Sequence, residues 1–198
     1  MPDIELVPVE RQDAAVLGNL FELYAHDFSE LVPLEVGDDG RFGAAEAGAW
    51  RDDPSSTALF IRADGRLAGF AILQRGSRVT NAPEVMDVAE FFVVRRWRRL
   101  GVGTRAAHAL FRRHPGTWEV RVRESNPAAL RFWSRTIGAF TGEDARGEPF
   151  RAKQASWRLF RFSAAAAHGD GQRRVGARPR ATPGRAAYRA GWRSGGVQ

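Results

Sequence analysis

The sequence predicts an α/β fold in which a mixed sheet carries helices on both faces. In the first half, two apolar runs flank Ala63-Asp64-Gly65-Arg66, a pattern typical of an antiparallel hairpin. In the second half, strand patterns alternate with helical patterns, as in β-α-β units. Together the two halves favour a single sheet that contains both antiparallel and parallel strands.

The first half begins with alternating apolar residues that predict a strand over residues 4–9. Helical spacing of apolar residues follows over 13–31, and a loop rich in glycine leads to a short predicted helix at 44–51. The hairpin strands are predicted at 57–62 and 67–74.

The second half opens on the strongest strand pattern of the chain, residues 85–94. A helix is predicted at 104–113, ended by His114-Pro115-Gly116, and a strand at 117–122. Asn126-Pro127 is a helix start with a capping residue and proline at the first helical position, and Gly138 is the expected end. The last predicted strand is 155–162.

Composition excludes several classes of protein. Apolar residues make up 43% of the 198 residues, which is enough for a core, but no run approaches the length of a membrane span. The absence of cysteine excludes disulfide scaffolds, thiolate metal sites and a cysteine nucleophile, and the scattered histidines argue against any metal site. The first residues lack the pattern of a secretory signal, so we expect a cytoplasmic protein without a membrane partner.

The net charge of +7 is concentrated at the end of the chain. Residues 164–198 carry seven arginines and one acid, Asp170, which leaves residues 1–163 nearly neutral. Isolated apolar residues cannot offset the chain entropy of this segment, so it is predicted to be a disordered tail. A tail without function is favoured over an arm that binds nucleic acid.

Glycines mark the turn between the strongest strand and the helix that follows it. Arg98-x-x-Gly101-x-Gly103-Thr104 lets the backbone approach a ligand closely, and free N–H groups at a helix start attract anions. A diphosphate is the ligand that such a turn is expected to bind. The plainer interpretation is a basic surface turn whose glycines serve packing. Gly101-x-Gly103-x-x-Ala106 with Glu124 also fits a dinucleotide fingerprint, but six residues separate it from its strand.

Two motifs at this point resemble the GCN5-related N-acetyltransferase (GNAT) superfamily. Residues 93–103, VVRRWRRLGVG, resemble its acyl-CoA signature V-x-P-x-[YW]-R-G-x-G-[IV]-G, with Arg95 and Arg99 replacing the proline and the first glycine. The second match begins at Asn126 and includes Phe132-Trp133 and Gly138-Ala139-Phe140. It resembles the N-x-x-A-x-x-[FL]-Y-x-x-x-G-F helix of the superfamily.

The resemblance implies an α/β (α+β) domain over residues 1–163, with a mixed, mostly antiparallel sheet of about six to seven strands and about four helices. It implies acetyl-CoA as co-substrate and no metal. Main-chain groups near Phe92 and Val93 would pair with pantetheine like an added strand. Asn126 would bond the pantetheine arm or serve as a plain helix cap, and Trp133 would pack against cofactor or core. The diphosphate would lie on the amides of Arg98, Arg99, Leu100, Gly101, Val102, Gly103 and Thr104.

The resemblance also implies the chemistry of acetyl transfer to an amine. Glu90 occupies the strand position where the superfamily often has its general base, and strand alternation would put Asp87 on the opposite face. The tyrosine that usually protonates the leaving thiolate is replaced by Trp133. The acid is therefore left open between Ser134, water and direct protonation from solvent.

The acceptor is expected at the first helix, where Tyr24, His26, Asp27 and Glu30 cluster. Acids there could attract a cationic amine, but a solvated helix face and its cap is the favoured interpretation. The expected partners are acetyl-CoA and a small-molecule or peptide amine. The alternative function is a catalytically weak GNAT-fold module that binds acyl-CoA or touches nucleic acid. A homodimer is common in the superfamily, but no residue pattern establishes it.

Overall fold

The structure, a computed structural model, describes residues 1–43, 53–152 and 155–165. The helix predicted at 44–51 and the predicted tail after residue 165 lie outside these described residues.

The described residues form one seven-stranded sheet with the order β1-β2-β3-β4-β5-β7-β6. All neighbouring strands are antiparallel except β4 and β5, which are parallel. The predicted mixed, mostly antiparallel sheet is thereby confirmed. The strands are β1 (Ile4–Pro8), β2 (Ser56–Ala63), β3 (Arg66–Arg75), β4 (Met86–Val93), β5 (Gly116–Arg123), β6 (Glu148–Ala152) and β7 (Ala155–Ala164).

Helices cover both faces of the sheet, as predicted. Helix α1 (Ala14–Phe28) packs its aromatic side chains against one face, where Phe70 and Phe92 of β3 and β4 form a separate core with it. Helices α2 (Val102–Arg113) and α3 (Pro127–Thr141) bury the other face in the larger core. A short 3₁₀ turn, Arg95–Trp97, connects β4 to the start of α2.

Local turn chemistry explains the hairpin and the end of α3. Asp64 and Gly65 join β2 to β3 with φ of 50° and 71°, the left-handed pair that a tight two-residue hairpin turn requires. Helix α3 does not end at Gly138 as predicted but continues to Thr141. Gly142, with φ of 79°, supplies the left-handed cap instead, and its N–H donates to the carbonyl of Gly138.

Two strands differ from the prediction at the far edge of the sheet. Strand β6 was not predicted, because this edge strand is mostly exposed and lacks an apolar alternation. Strand β7 runs to Ala164, so the strand crosses the boundary expected between residues 163 and 164.

Gly69 fixes the approach of β3 to β4 beside the candidate site. A Cβ at this position would lie 1.9 Å from the carbonyl oxygen of Phe92, a contact that only a backbone shift could relieve. We expect Gly69→Ala to destabilise the fold by about 3 kcal/mol, measured by denaturant unfolding. Gly18→Ala in α1 is the control, because a Cβ there meets nothing within 4 Å. A helical alanine should raise stability by about 0.5–1 kcal/mol there, and equal effects at the two positions would contradict the steric explanation.

Candidate active site

The two parallel strands of the sheet separate where the candidate site begins. Among the described residues, β4 and β5 pair only from Met86 to Val88 with Trp118 to Val120. The second half of β4 therefore pairs with β3 on one side and leaves its other edge open. An open strand edge is a template for an extended ligand.

A β-bulge in β4 brings two carboxylates to the same face of the sheet. Ile72 pairs with Glu90, while Leu73 pairs with Val88, so Ala89 is the extra residue. The prediction that Asp87 points away from Glu90 is wrong, because the extra residue shifts the alternation. Both acidic side chains face α1, and the charge of Asp87 contributes to raising the pKa of Glu90.

Glu90 is hydrogen-bonded to a tyrosine of α1. The Tyr24 hydroxyl donates to Oε2 of Glu90 at 2.7 Å. Burial raises the pKa of Glu90 to about 8, against the opposing effects of the Tyr24 hydrogen bond and the charges of Arg78 and Arg121. Burial and the neighbouring Glu90 also raise the pKa of Tyr24 well above its ordinary value. Glu90 is therefore a carboxyl group that can exchange a proton near neutral pH.

The main chain of Val93, rather than that of Phe92, lies on the open edge of β4. The Phe92 carbonyl points to β3, next to Gly69, and the Val94 N–H donates to the carbonyl of Ala68, which also lies in β3. Main-chain groups alternate along a strand, so those of Val93 face the gap. The carbonyl of Val93 accepts from Nε of Arg98 at 2.7 Å. Phe92 thus contributes its ring, whereas its predicted main-chain pairing is already made with β3.

The start of α2 presents main-chain N–H groups without a side-chain cap. Gly101 is the N-cap residue with φ of 77°, so no side chain covers the first amides of the helix, which come from Val102, Gly103 and Thr104. A Cβ on Gly103 would lie 3.1 Å from the ring of Phe132, so its glycine permits close packing with α3. Arg99 has φ of 61°, the left-handed conformation that suits the glycine of the superfamily signature.

A cavity of about 890 Å³ connects the start of α2, the open edge of β4 and α1. It brings together most of the predicted cofactor residues, and three of the predicted acceptor residues, Tyr24, Asp27 and Glu30, also line it. The predicted cofactor residues in its wall are Phe92, Val93, Arg98, Arg99, Gly101, Gly103, Thr104 and Asn126. Glu90 does not line the cavity itself, but it is hydrogen-bonded to Tyr24, which does.

Five predicted site residues have side chains outside the cavity wall, and Glu90, the predicted base, is one of them. Val102 and Trp133 are fully buried in the core, and Leu100 is 50% exposed. The indole of Trp133 packs against Phe91 and Phe132, so it belongs to the core rather than to the cofactor surface. His26 is 70% exposed beside Asp27. Leu100 and Val102 can contribute only their main-chain amides to the site.

Asp27 is not free to attract a cationic acceptor, because two arginines already neutralise it. Nη2 of Arg95 lies 2.7 Å from Oδ1 of Asp27, and Arg98 donates to Oδ2. Burial opposes ionisation of Asp27, but the hydrogen bonds from Arg95 and Arg98 outweigh it and lower the pKa of Asp27. This ion-pair network joins the end of α1 to the turn that precedes α2.

Asn126 caps α3, as the plainer interpretation predicted. Its side-chain oxygen accepts from the Ala129 N–H at 3.0 Å. The cap uses the oxygen and leaves the two N–H donors of the side-chain amide for another partner. Asn126 also lines the cavity. Capping and ligand binding are therefore compatible at this residue.

Sequence reasoning missed further residues of this region. Phe132, Arg131 and Arg135 of α3 line the cavity. The helical spacing of the two arginines, i and i+4, could have indicated their shared face. Asp87 is fully buried and paired with Arg121 of β5, with 2.8 Å between Oδ2 and Nη2. No local pattern indicates that pair, because it depends on the bulge and on strand order.

The sheet opens between its parallel strands, beside a helix start whose amides have no side-chain cap. The family model described as "Acetyltransferase (GNAT) family" matches residues 17–139, more than half of the chain. The chain therefore belongs to the GNAT acetyltransferase family. None of the helices in the described part of the chain is long and apolar enough to cross a membrane.

Solved structures share this fold at low sequence identity. An acetyltransferase from Thermus thermophilus is 16% identical, with 81% of this chain and 96% of that chain covered and a TM-score of 0.60. The aminoglycoside acetyltransferase AAC(6')-Ib in complex with coenzyme A is 14% identical, with 81% of this chain and 95% of that chain covered and a TM-score of 0.60. Spermidine N-acetyltransferase from Vibrio cholerae, in complex with CoA and spermine, is 13% identical, with 81% of this chain and 95% of that chain covered and a TM-score of 0.55. No curated protein matches the sequence.

Proposed function

We propose that this protein transfers an acetyl group from acetyl-CoA to a primary amine of a small-molecule or peptide acceptor, with Glu90 as general base. The observation that carries the proposal is the Glu90 carboxyl group, hydrogen-bonded to Tyr24 at the point where β4 separates from β5. Coenzyme A in two solved relatives supports the choice of donor.

The donor would lie along the cavity between α1, β4 and α3. The uncapped amides at the start of α2 would hold the diphosphate, helped by the positive end of the helix dipole. Arg99, Arg131 and Arg135 add positive charge to the cavity wall. The pantetheine arm would pair with the Val93 carbonyl on the open edge, and the side-chain amide of Asn126, which also lines the cavity, would bond it.

The reaction needs a neutral amine and a donor for the oxyanion. Glu90 would accept the proton of the acceptor ammonium group, directly or through one water. The free amine then attacks the thioester carbonyl, forming the C–N bond and an oxyanion that the Val93 N–H is positioned to stabilise. Collapse of this intermediate breaks the C–S bond, and the amide nitrogen loses its second proton to water.

The hydrogen bond between Tyr24 and Glu90 supports Tyr24 as the proton donor to the leaving thiolate. The chain has two tyrosines, and Tyr24 is the one within the described residues. Tyr24 would give its hydroxyl proton to sulfur and recover a proton from protonated Glu90. The proton removed from the amine thus ends on the CoA thiol, and both side chains return to their starting states.

Tyr24→Phe should move the pH profile as well as lower the rate. The lost hydrogen bond stabilises the ionised form of Glu90, so its pKa should rise above the value of about 8 in the wild type. We expect kcat to fall by about 10-fold even above the new midpoint, since the relay is lost. Stopped assays of CoA release across pH 6–10 (roughly the range that brackets this pKa) measure both effects.

The matched control for Tyr24 is Tyr188→Phe, the same change at the other tyrosine of the chain. It should leave the profile unchanged. A Tyr24→Phe enzyme with a lower rate but an unshifted midpoint would remove the coupling between Tyr24 and Glu90. An unchanged rate would remove Tyr24 from the chemistry.

The proposed function is tested by titrating acetyl-CoA into the full chain and then assaying a panel of amines for CoA release. NADH is the control ligand, because the glycine turn also fits a dinucleotide fingerprint. Acetyl-CoA binding with turnover of at least one amine supports the proposal. Binding without turnover of any amine favours the alternative, an acyl-CoA-binding module, for which burial of Trp133 at the usual tyrosine position provides the rationale.

A further inference from the structure

One arginine beside the Glu90–Tyr24 pair has no partner for its charge among the described residues. Arg123 is the last residue of β5 and pairs across the ladder with Trp157 of β7. Trp118, Val120 and Val122 of β5 point into the core under α2 and α3. By strand alternation, Arg123 therefore points to the face that carries Glu90 and α1.

Two other arginines on this face are satisfied by carboxylates. Arg121 pairs with Asp87 at 2.8 Å, and Arg161 pairs with Glu119 at 2.6 Å. Arg123 makes no ion pair within the described residues, and its Nε atom is buried without a hydrogen-bond acceptor. A buried donor without an acceptor is costly and uncommon in folded proteins, so it calls for an explanation.

Stacking on tryptophan does not satisfy Arg123. Its guanidinium carbon lies 4.8 Å from the centroid of the Trp157 ring, a cation–π contact. A cation–π contact does not supply an acceptor to the N–H donors of the guanidinium group. Trp157 is itself 1% exposed, so the contact lies on a buried ring. Arg123 therefore keeps a donor without an acceptor and a charge without an anion.

The charge of Arg123 acts on one of the proposed reacting groups. The positive charge of Arg123 acts on the Tyr24 hydroxyl, where it lowers the pKa against the larger effects of burial and Glu90. Tyr24 is in turn hydrogen-bonded to Glu90. Arg123 and Glu90 therefore act on the same hydroxyl from the same face of the sheet, and a molecule whose amine reaches Glu90 would extend toward Arg123.

We infer that the acceptor is a primary amine that also carries a carboxylate, and that Arg123 binds this carboxylate. The inference rests on the proposed acetyl transfer and names the substrate class of the same site. A planar carboxylate matches the donor fork of arginine in a bidentate pair. One unpaired guanidinium balances the single charge of a carboxylate, whereas a phosphate would bring nearly two. Polyamines would instead place additional positive charge beside Arg123.

The test compares amines that differ only in the group distant from the nitrogen. Amino carboxylates of increasing chain length, from glycine to 5-aminopentanoate, are each assayed against the amide, the plain alkylamine and the diamine of the same length. The twenty amino acids and their amides extend the series. We expect the preferred acceptor to be a carboxylate, with kcat/KM about 30-fold above its amide.

Variants assign this preference to Arg123. Arg123→Gln should reduce the preference for carboxylate over amide to less than about 3-fold, while Arg123→Lys should retain part of it. The affinity for acetyl-CoA should stay unchanged in both. Arg158→Gln is the matched control, because Arg158 is the neighbour of Trp157 on β7 and is paired with Glu124 at 2.9 Å. Its position opposite Val122 puts it on the other face of the sheet.

A binding measurement separates this inference from the proposed function. Each acid and amide is titrated into the CoA-bound protein and followed by calorimetry and tryptophan fluorescence, with Trp157→Phe identifying the signal. Binding of acids and not of amides, lost in Arg123→Gln, supports the inference even where no acetyl transfer is detected. An amide, alkylamine, diamine or phosphate-bearing amine as the best ligand overturns it, as does the absence of binding by every acid in the series.

Discussion

Glu90→Gln is expected to lower kcat by about 10²-fold or more while the affinity for acetyl-CoA stays within about 3-fold. The amide keeps the size of the side chain and can still bond the Tyr24 hydroxyl, but it cannot accept the proton of the ammonium group. Steady-state assays of CoA release, with acetyl-CoA affinity measured by calorimetry, separate the two effects. Glu84→Gln is the control, because Glu84 is exposed just before β4.

The pH profile gives the same prediction a second, independent readout. Because burial raises the pKa of Glu90 to about 8, this carboxyl group is mostly protonated below pH 8 and cannot serve as a base there. Wild-type kcat/KM should therefore rise with pH and level off above about pH 8, and this rise should be absent from Glu90→Gln. A variant with wild-type turnover, or one that retains the same pH limb, would remove Glu90 from the mechanism.

Sequence reasoning succeeded where a local rule determines the structure. The Asp64-Gly65 turn requires left-handed backbone, and Asn126-Pro127 is a capped helix start, so both could be recognised from a few neighbouring residues. The uncapped glycine start of α2 follows from equally local chemistry. These features locate the start of α2 and the strand before it, which is why about half of the cavity-lining residues could be predicted.

The remaining features depend on contacts between distant parts of the chain. A single extra residue, Ala89, reverses the alternation of β4 and turns Asp87 to the face of Glu90. Arg98 spans 71 positions in sequence to neutralise Asp27, so an acid expected to attract the acceptor serves the fold instead. No composition or periodicity encodes these pairings, since each is decided by strand register and by packing of α1 on the sheet.

Gly101→Glu is expected to weaken acetyl-CoA binding by about 10²-fold or more, measured by calorimetry. A Cβ at Gly101 meets no atom within 4 Å, so the side chain would enter the open space in front of the first amides of α2. Its carboxylate would bind those amides itself, because a negative charge at a helix start is favourable. The diphosphate would then meet an occupied site and a repelling charge.

Gly142→Glu provides the matched control for this loss. Gly142 has φ of 79° against 77° for Gly101, and a Cβ there also meets nothing within 4 Å. Both variants accept the same left-handed strain, about 1 kcal/mol. At the end of α3, however, a carboxylate faces the negative end of the helix dipole, so Gly142→Glu should lose at least as much thermal stability. Gly101→Glu is thus expected to lose no more stability than Gly142→Glu and yet to lose acetyl-CoA binding. That result would assign the lost binding to the start of α2 and not to unfolding. Equal binding by the two variants would mean that the start of α2 does not hold the diphosphate.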